Sequence, residues 1–340
     1  MAGPHGGPAT ALRANGWCTM WRYIVRRLLW VVVVLLVVTS ITYVVFFVMP
    51  STDPAVTFAG KNPTPEQIEE VRHQFGLDKP VPVQYALFIK HIFLGDQYGW
   101  PGLGFSYSTR SPVKDQFYGR VLVTVQLAIG AALVWLCIGI PIGIVSAIRR
   151  RTLTDRLSMG FALFFVSAPV FWLGLMGLWL FWFKLRISPG TGYVAWGDNF
   201  GDWLSHMILP WVVLALLYAA FYARMTRGNL IETMGQDYIR TARVKGLSEW
   251  KVILKHGLRA SLTPVVTLIG LDLGALLGGA VITETVFNLQ GVGQWAVSSV
   301  FQGDLPVVLA VTVVVAIAVT LMNLIVDIVY AYLDPRVRYS

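Results

Sequence analysis

The uncharged run Leu28 to Met49, LLWVVVVLLVVTSITYVVFFVM, constrains this chain more than any other feature. As a helix rising about 1.5 Å per residue it is about 33 Å long, enough to cross the hydrocarbon of a bilayer. Arg26 and Arg27 precede it. It is too long for the core of a signal peptide and ends at Met49-Pro50 without a small-residue cleavage site, so it reads as an uncleaved helix.

Five more apolar runs follow: Val121 to Ile148, Leu157 to Phe183, Met207 to Ala223, Leu262 to Phe287 and Leu305 to Tyr330. The expectation is an all-α integral membrane protein with six transmembrane helices. Pro141 is expected to kink the second span, and Pro169, in SAPVFWLG, interrupts the third. Trp179 and Trp182 read as interface anchors at the outer end of the third. Composition agrees: 13% of residues are charged and 56% are hydrophobic, where a soluble domain carries about a quarter charged.

The net charge of +9 does not point to nucleic acid, because most of the basic residues flank apolar runs and read as topology signals. If the N-terminus is cytoplasmic, the inside segments collect Arg26 and Arg27, Arg149 to Arg151, the basic stretch from Arg224 to Arg259, and Arg336 and Arg338. Most of the remaining basic residues fall in one long loop, which counts little. Both termini are therefore expected in the cytoplasm. Cys18 and Cys137 lie in different contexts and suggest neither a disulfide nor a metal site.

The polar pieces are read as follows. Residues 1–20, rich in Gly, Ala and Pro, are expected to be a disordered tail, with residues 21–49 as the first transmembrane helix. Residues 50–120 form an extracytoplasmic region with helix grammar. Thr64-Pro65-Glu66-Gln67 is a capping box with proline at the first helical position, and Gly76 is a stop. PVPVQYALFIKHIFLG reads as an amphipathic helix closed by Gly95. This region reads as a lid packed on the outer mouth and as a docking surface for an external partner, two roles that are compatible. Residues 121–335 form the core, and residues 336–340 a cytoplasmic end. The Asn288 to Asp304 loop has enough apolar content to dip back toward a pore.

The segment Tyr238 to Pro264 is unusual. It holds Arg240, Arg243, Lys245, Lys251, Lys255 and Arg259 with one acid, Glu249. Ile239, Ala242, Leu247, Trp250, Ile253 and Leu254 make an apolar set, but Gly246 divides the segment into two short helices. That makes a compact knob on the cytoplasmic face rather than a helix floating on lipid.

RTARVKGLS followed by LKHGLRASLTPVVT resembles the cytoplasmic coupling loop of ABC importer permeases, and most resembles the dipeptide/oligopeptide branch (the B-type subunit). Arg240-Thr241-Ala242 stand where the superfamily has Glu-Ala-Ala, and the peptide branch typically shows Arg-Thr-Ala. FGLDKPVPVQY, HMILPWVVLAL, YARMTRGNLIETMGQDYIRTARVKGL, LGALLGGAVITETVFNLQGVG and NLIVDIVYAYLDPRVRYS look like further motifs of that branch, in order, so the likeness covers nearly the whole chain from Trp21.

The resemblance implies a type I importer permease fold with a cytoplasmic coupling helix between spans 4 and 5, in a loop over about 225–261. It implies a role in docking an ATPase for Arg240, Thr241, Ala242, Lys245, Gly246, Leu247 and Ser248. It further implies a second permease subunit (a heterodimer), two P-loop ATPases that hold ATP and Mg, and an extracellular substrate-binding protein. Peptides are the implied substrate, with nickel, glutathione or another small solute as alternatives within the same family.

This chain itself has no G-x-x-x-x-G-K-[ST], H-E-x-x-H or G-x-S-x-G, so no catalytic site and no cofactor are expected in it. A gradient-driven transporter is the alternative class; it predicts internal repeats, and none is visible. Asp272 and Glu284 are candidate pore-lining residues, since an intramembrane acid is costly. Asp327 is placed near the inner interface. Gly270, Gly274 and Gly278 form a small-residue stripe suited to close helix contact, expected along the subunit interface or pore.

Overall fold

In the computed structural model, which describes residues 9–50, 53–60, 62–106 and 108–333, every apolar run is helical. Helix α1 (Ala9–Tyr43) continues through π-helical turns over Val44–Val48. It begins earlier than expected. Residues 1–8 and 336–340 lie outside the described residues, but 9–20 are helical rather than disordered. The Gly and Pro of the N-terminal segment cluster before Ala9, and the Ala, Leu, Arg and Met that follow are good helix formers.

The loop region folds as α2 (Pro54–Phe58), α3 (Pro65–Phe75), α4 (Val81–Leu94) and the short hairpin β1 (Phe105–Ser106) and β2 (Ser111–Pro112). The capping box forms as read. Thr64 Oγ1 accepts from Gln67 N at 3.3 Å, and Gln67 Oε1 accepts from Thr64 N at 2.9 Å. Gly76 closes α3 at φ +61, a left-handed conformation that glycine adopts without a Cβ penalty. Phe58, Phe75 and Phe88 stack with Tyr43 and Phe47 of α1, which seats the whole region on the bundle.

Helices α5 (Val113–Ile148) and α8 (Phe200–Met234) run unbroken through Pro141 and Pro210. The third run is not one straight crossing. It is α6 (Leu153–Ser167) and then α7 (Val170–Gly177) with π-helical turns to Lys184, bent by 102°. Pro169 has no N–H to give, and its ring forces Ala168 into extended backbone, so the helix must stop there.

After α8 come α9 (Asp237–Val244), α10 (Glu249–Lys251), π-helical turns over Val252–Gly257, and α11 (Leu258–Ser261). The fifth run is also divided, into α12 (Thr263–Leu277) and α13 (Val281–Phe287). The break falls at Gly278-Gly279-Ala280. Gly279 has φ +106, and a Cβ there would lie 2.6 Å from Gly293 Cα, so the chain bends where the next segment packs into it. That segment is α14 (Val292–Gln302), which packs back against α5 and α15 (Leu305–Leu333). Among the described residues four helices are long and apolar enough to cross a membrane, and up to six spans result if each bent pair, Leu153–Ser167 with Val170–Lys184 and Glu249–Ser261 with Thr263–Leu277, counts as one.

The main core lies between α5, α7, α8 and α12, around Leu127, Trp135, Met207, Tyr222 and Phe287. Helices α5 and α8 meet closely because glycines let them. A Cβ at Gly139 would come 2.7 Å from Ala219 O, and one at Gly143 2.6 Å from Ala223 O. The Gly270, Gly274, Gly278 stripe faces Val326, Met322 and Val315 of α15. It is an internal seam, not the subunit interface or pore expected from sequence. The spacing of four predicted a close contact but held no information on the partner.

A Gly270→Leu variant should therefore overpack the α12–α15 seam and lose about 1–3 kcal/mol, read as a lower thermal midpoint in detergent. Gly160→Leu, which opens onto free space on α6, should leave the midpoint unchanged.

Candidate functional site

The basic segment forms two short helical pieces joined at Gly246, which has φ +77. Gly246 N donates to Arg243 O at 2.9 Å, and Leu247 N to Ala242 O at 3.4 Å, closing the turn. Across it Arg243 grips Glu249 with two parallel hydrogen bonds, Nη2–Oε1 at 2.6 Å and Nε–Oε2 at 3.0 Å. Inside the turn a small core of Ile239, Ala242 and Val252 packs against Met234, the last residue of α8. The knob is thus fastened to the end of a helix that runs the length of the bundle.

Of the expected docking residues, Arg240, Thr241, Lys245, Gly246, Leu247 and Ser248 are exposed, while Ala242 points into the small core. Three neighbours belong with them: Arg243 and Trp250, from the segment's basic and apolar sets, and Val244, which is in neither set. Val244 is 88% and Trp250 64% exposed, too much apolar surface for a solvated loop. Arg243 fixes the turn; its signal was the acid at Glu249, six residues on in a basic segment. Beneath the knob a cleft of about 500 Å³ is lined by Ile148, Arg150, Leu230, Met234, Arg243, Glu249 and Ile253.

One helical level into the bundle, Asp155 binds together three helices. Arg227 of α8 donates Nε to Oδ1 at 2.7 Å and Nη2 to Oδ2 at 2.9 Å. Ser146 of α5 donates to Oδ1 at 2.5 Å, and Arg151 N to Oδ2 at 2.9 Å. Both carboxylate oxygens carry two partners, and the aspartate side chain is only 6% exposed. Such a bidentate, hydrogen-bonded pair holds its geometry tightly. This clamp locks the basic end of α8, and the knob hung on it, to α5 and α6. The sequence did not reveal it because its two charges lie in separate runs.

Two acids of the fifth run behave differently. Asp272 on α12 is half-buried and accepts from Tyr222 OH of α8 at 2.6 Å. Tyr222 lies beside Trp135, and Trp135 stacks on Tyr218 with ring centroids 4.6 Å apart. Asp272 thus joins the α12 side of the bundle to the α5–α8 side, with one oxygen engaged. Glu284 is fully buried. It accepts from Thr124 Oγ1 and Gln294 N, each at 2.8 Å, and Thr124 Oγ1 in turn accepts from Val292 N at 2.9 Å. Gly291 and Gly293 leave no room for a Cβ beside it. As a pore-lining candidate Glu284 is corrected: it ties α5 and α13 to the start of α14, a position suited to a carboxylate. Asp327 pairs with Arg27 of α1 at 2.9 Å. No group of three or more His, Cys, Asp or Glu is placed to hold a metal ion among the described residues.

Comparison with known proteins fits this architecture. Residues 139–339 match the family described as binding-protein-dependent transport system inner membrane component, and residues 20–128 match its N-terminal counterpart. The chain is 36% identical to the dipeptide transport system permease protein DppB of Escherichia coli K12, covering 94% of this chain and 100% of that protein. It is 38% identical to the probable D,D-dipeptide transport system permease protein DdpB of the same strain, over 94% and 98%. It is also 38% identical to the glutathione transport system permease protein GsiC of Salmonella paratyphi A, over 94% and 100%. Among solved structures, an inward-facing MetNI methionine ABC transporter aligns with a TM-score of 0.54 at 20% identity, over 66% of this chain and 98% of that one. The chain belongs to the binding-protein-dependent transport system inner membrane component family.

Removing one partner of a buried ion pair costs about 3–5 kcal/mol. Arg227→Ala should therefore lower the thermal midpoint of the detergent-purified chain far more than Arg224→Ala, whose exposed guanidinium lies only over the Phe221 ring. Equal losses would mean that the clamp holds no more than a surface charge does.

Proposed function

We propose that this chain is one half of the translocation pore of an ATP-driven importer of short peptides, with the basic knob as its contact to the motor. The observation that carries this reading is the knob itself. It exposes Val244, Leu247 and Trp250 among basic residues and is fixed at the end of α8 by its own core and by the Asp155 clamp. A rigid projection on a clamped helix converts a push from below into movement of that helix. The relatives that transport dipeptides, D,D-dipeptides and glutathione support a short-peptide substrate.

In this reading both termini and the knob face the cytoplasm, and residues 50–120 face outward. The chain pairs with a second, different permease subunit. Two P-loop ATPases bind ATP and Mg below, and each knob seats in a cleft of one of them. An extracellular binding protein delivers the peptide. The chain performs no chemistry of its own. Asp272, with its second oxygen unengaged by Tyr222, is the residue proposed to line the path.

Three measurements test this. A gentle detergent pull-down of the tagged chain should recover P-loop ATPases and a second permease; recovery of the chain alone, with uptake indifferent to ATP depletion, would favour a gradient-driven transporter. Gly246→Arg should abolish uptake while membrane insertion persists, since no atom crowds that position in the chain itself and only its left-handed turn and outward face are spoiled. Normal uptake in that variant would remove the coupling assignment. Asp272→Asn should change the rate or range of uptake across a peptide panel, and an unchanged panel would leave Asp272 only its bond to Tyr222.

A further inference from the structure

Helix α4 does not fit the role of a water-exposed lid. One face, with Tyr85, Phe88 and Ile92, packs on α1 and α15. The opposite face is apolar as well: Pro82, Val83, Ala86, Phe93 and Leu94 are exposed, with Lys90 as the one charge among them. Leu94 is 74% and Phe93 50% exposed, and Trp100, whose Nε1 donates to Phe93 O, is 65% exposed. The spacing predicts an amphipathic α4, but a helix that is largely apolar on both its packed and its opposite face suits a core or a membrane better than water. At 14 residues it is too short to cross.

Its height in the bundle can be read along two helices from one origin. The Arg27–Asp327 pair joins α1 and α15 at the Val25 end of one apolar span and the Ile328 end of the other, and so marks one edge of the hydrocarbon. On α1, the Tyr85 hydroxyl meets Thr39 Oγ1 at 3.1 Å and accepts from Ser40 at 2.9 Å, while the Phe88 ring lies 5.7 Å from Tyr43 and 6.0 Å from Phe47. Those levels are about 18 to 30 Å from Arg27 at about 1.5 Å per residue. On α15, Val313 and Leu309 line a cavity with Phe88 and Ile92, and they stand about 21 and 27 Å from Asp327 by the same rise. Hydrocarbon is about 30 Å thick, so α4 sits within the far leaflet. At the same height the first span also exposes apolar side chains, Ile41, Val44, Val45 and Val48.

We propose that α4 is embedded in the outer leaflet of the bilayer, with Val83, Ala86, Phe93 and Leu94 against acyl chains and Lys90 reaching up to a lipid phosphate. Trp100 takes the interface position that its ring and N–H favour, and the long Lys90 stem allows its ammonium to leave the hydrocarbon. Only the name of the leaflet rests on the topology proposed above; the depth does not.

The test uses the tagged chain, with its co-purifying subunits, in phosphatidylcholine nanodiscs. Single cysteines at Val83→Cys, Phe93→Cys, Val45→Cys and Glu66→Cys, in a background with Cys18→Ser and Cys137→Ser, carry a fluorophore. Nitroxide on the upper acyl chain should quench the 83 and 93 labels as strongly as the 45 label on α1 and several-fold more than the 66 label on α3. Aqueous iodide should show the reverse order. If the 83 and 93 labels follow the 66 label, or are shielded only when an extracellular binding protein is added, the proposal is wrong and the face is a protein-docking surface. A membrane-impermeant thiol reagent applied to intact cells at Glu66→Cys reports the topology separately, so failure of that reading is not confused with failure of this one.

Discussion

The architecture depends on how closely α5 and α8 approach. Gly139 and Gly143 present bare backbone to Ala219, Ala223 and Thr226, and Gly130 lies under the Trp211 ring, whose Nε1 donates to Gln126 O at 3.0 Å. In a bilayer the hydrophobic effect does not drive helices together, so close van der Waals contact and side-chain hydrogen bonds must do so. This seam supplies both. With α5 and α8 joined along their length, the Asp155 network at one end and the Thr124–Glu284 tie at the other fix the pieces that bend.

The two broken runs then acquire a common logic. Pro169 ends α6, and the Gly278-Gly279 pair ends α12, in the parts of the bundle that do not belong to the α5–α8 seam. Backbone polar groups freed by a break inside a membrane need other partners. The structure covers the second break with the start of α14, where Gly293 backs onto Gly279. The unbroken α8 holds one end of the knob, and the other end leads through α11 into the divided fifth run. Asp272, bonded to Tyr222, is a side-chain link between the two kinds.

Much of this was legible in the chain. Uncharged runs gave the spans, Thr64 to Gln67 gave a helix start, and Gly246 gave the turn of the knob, because each is a local signal of length, capping or backbone conformation. The rest depended on contacts across the fold. The glycine stripe announced a seam but not its partner. Glu284 looked like a costly intramembrane acid, and only the folding of residues 288–304 back onto it showed its hydrogen-bond donors. Asp155 and Arg227 carried no shared pattern, since 72 positions separate them. Ala242 was grouped with the docking residues because it shares their stretch, yet helical rotation turns it inward.

The neighbourhood of α1 has a consequence for how the molecule is made. Its principal helical partner is α15, held through the Arg27–Asp327 pair. The pair joins residues 300 positions apart, so α1 is made long before its partner. Throughout synthesis of the intervening chain, α1 waits in the bilayer with its Val- and Leu-rich surface against lipid, steadied on one side by Tyr85 and Gln84 of α4. The contact that covers this side of α1 forms only once α15 has been inserted.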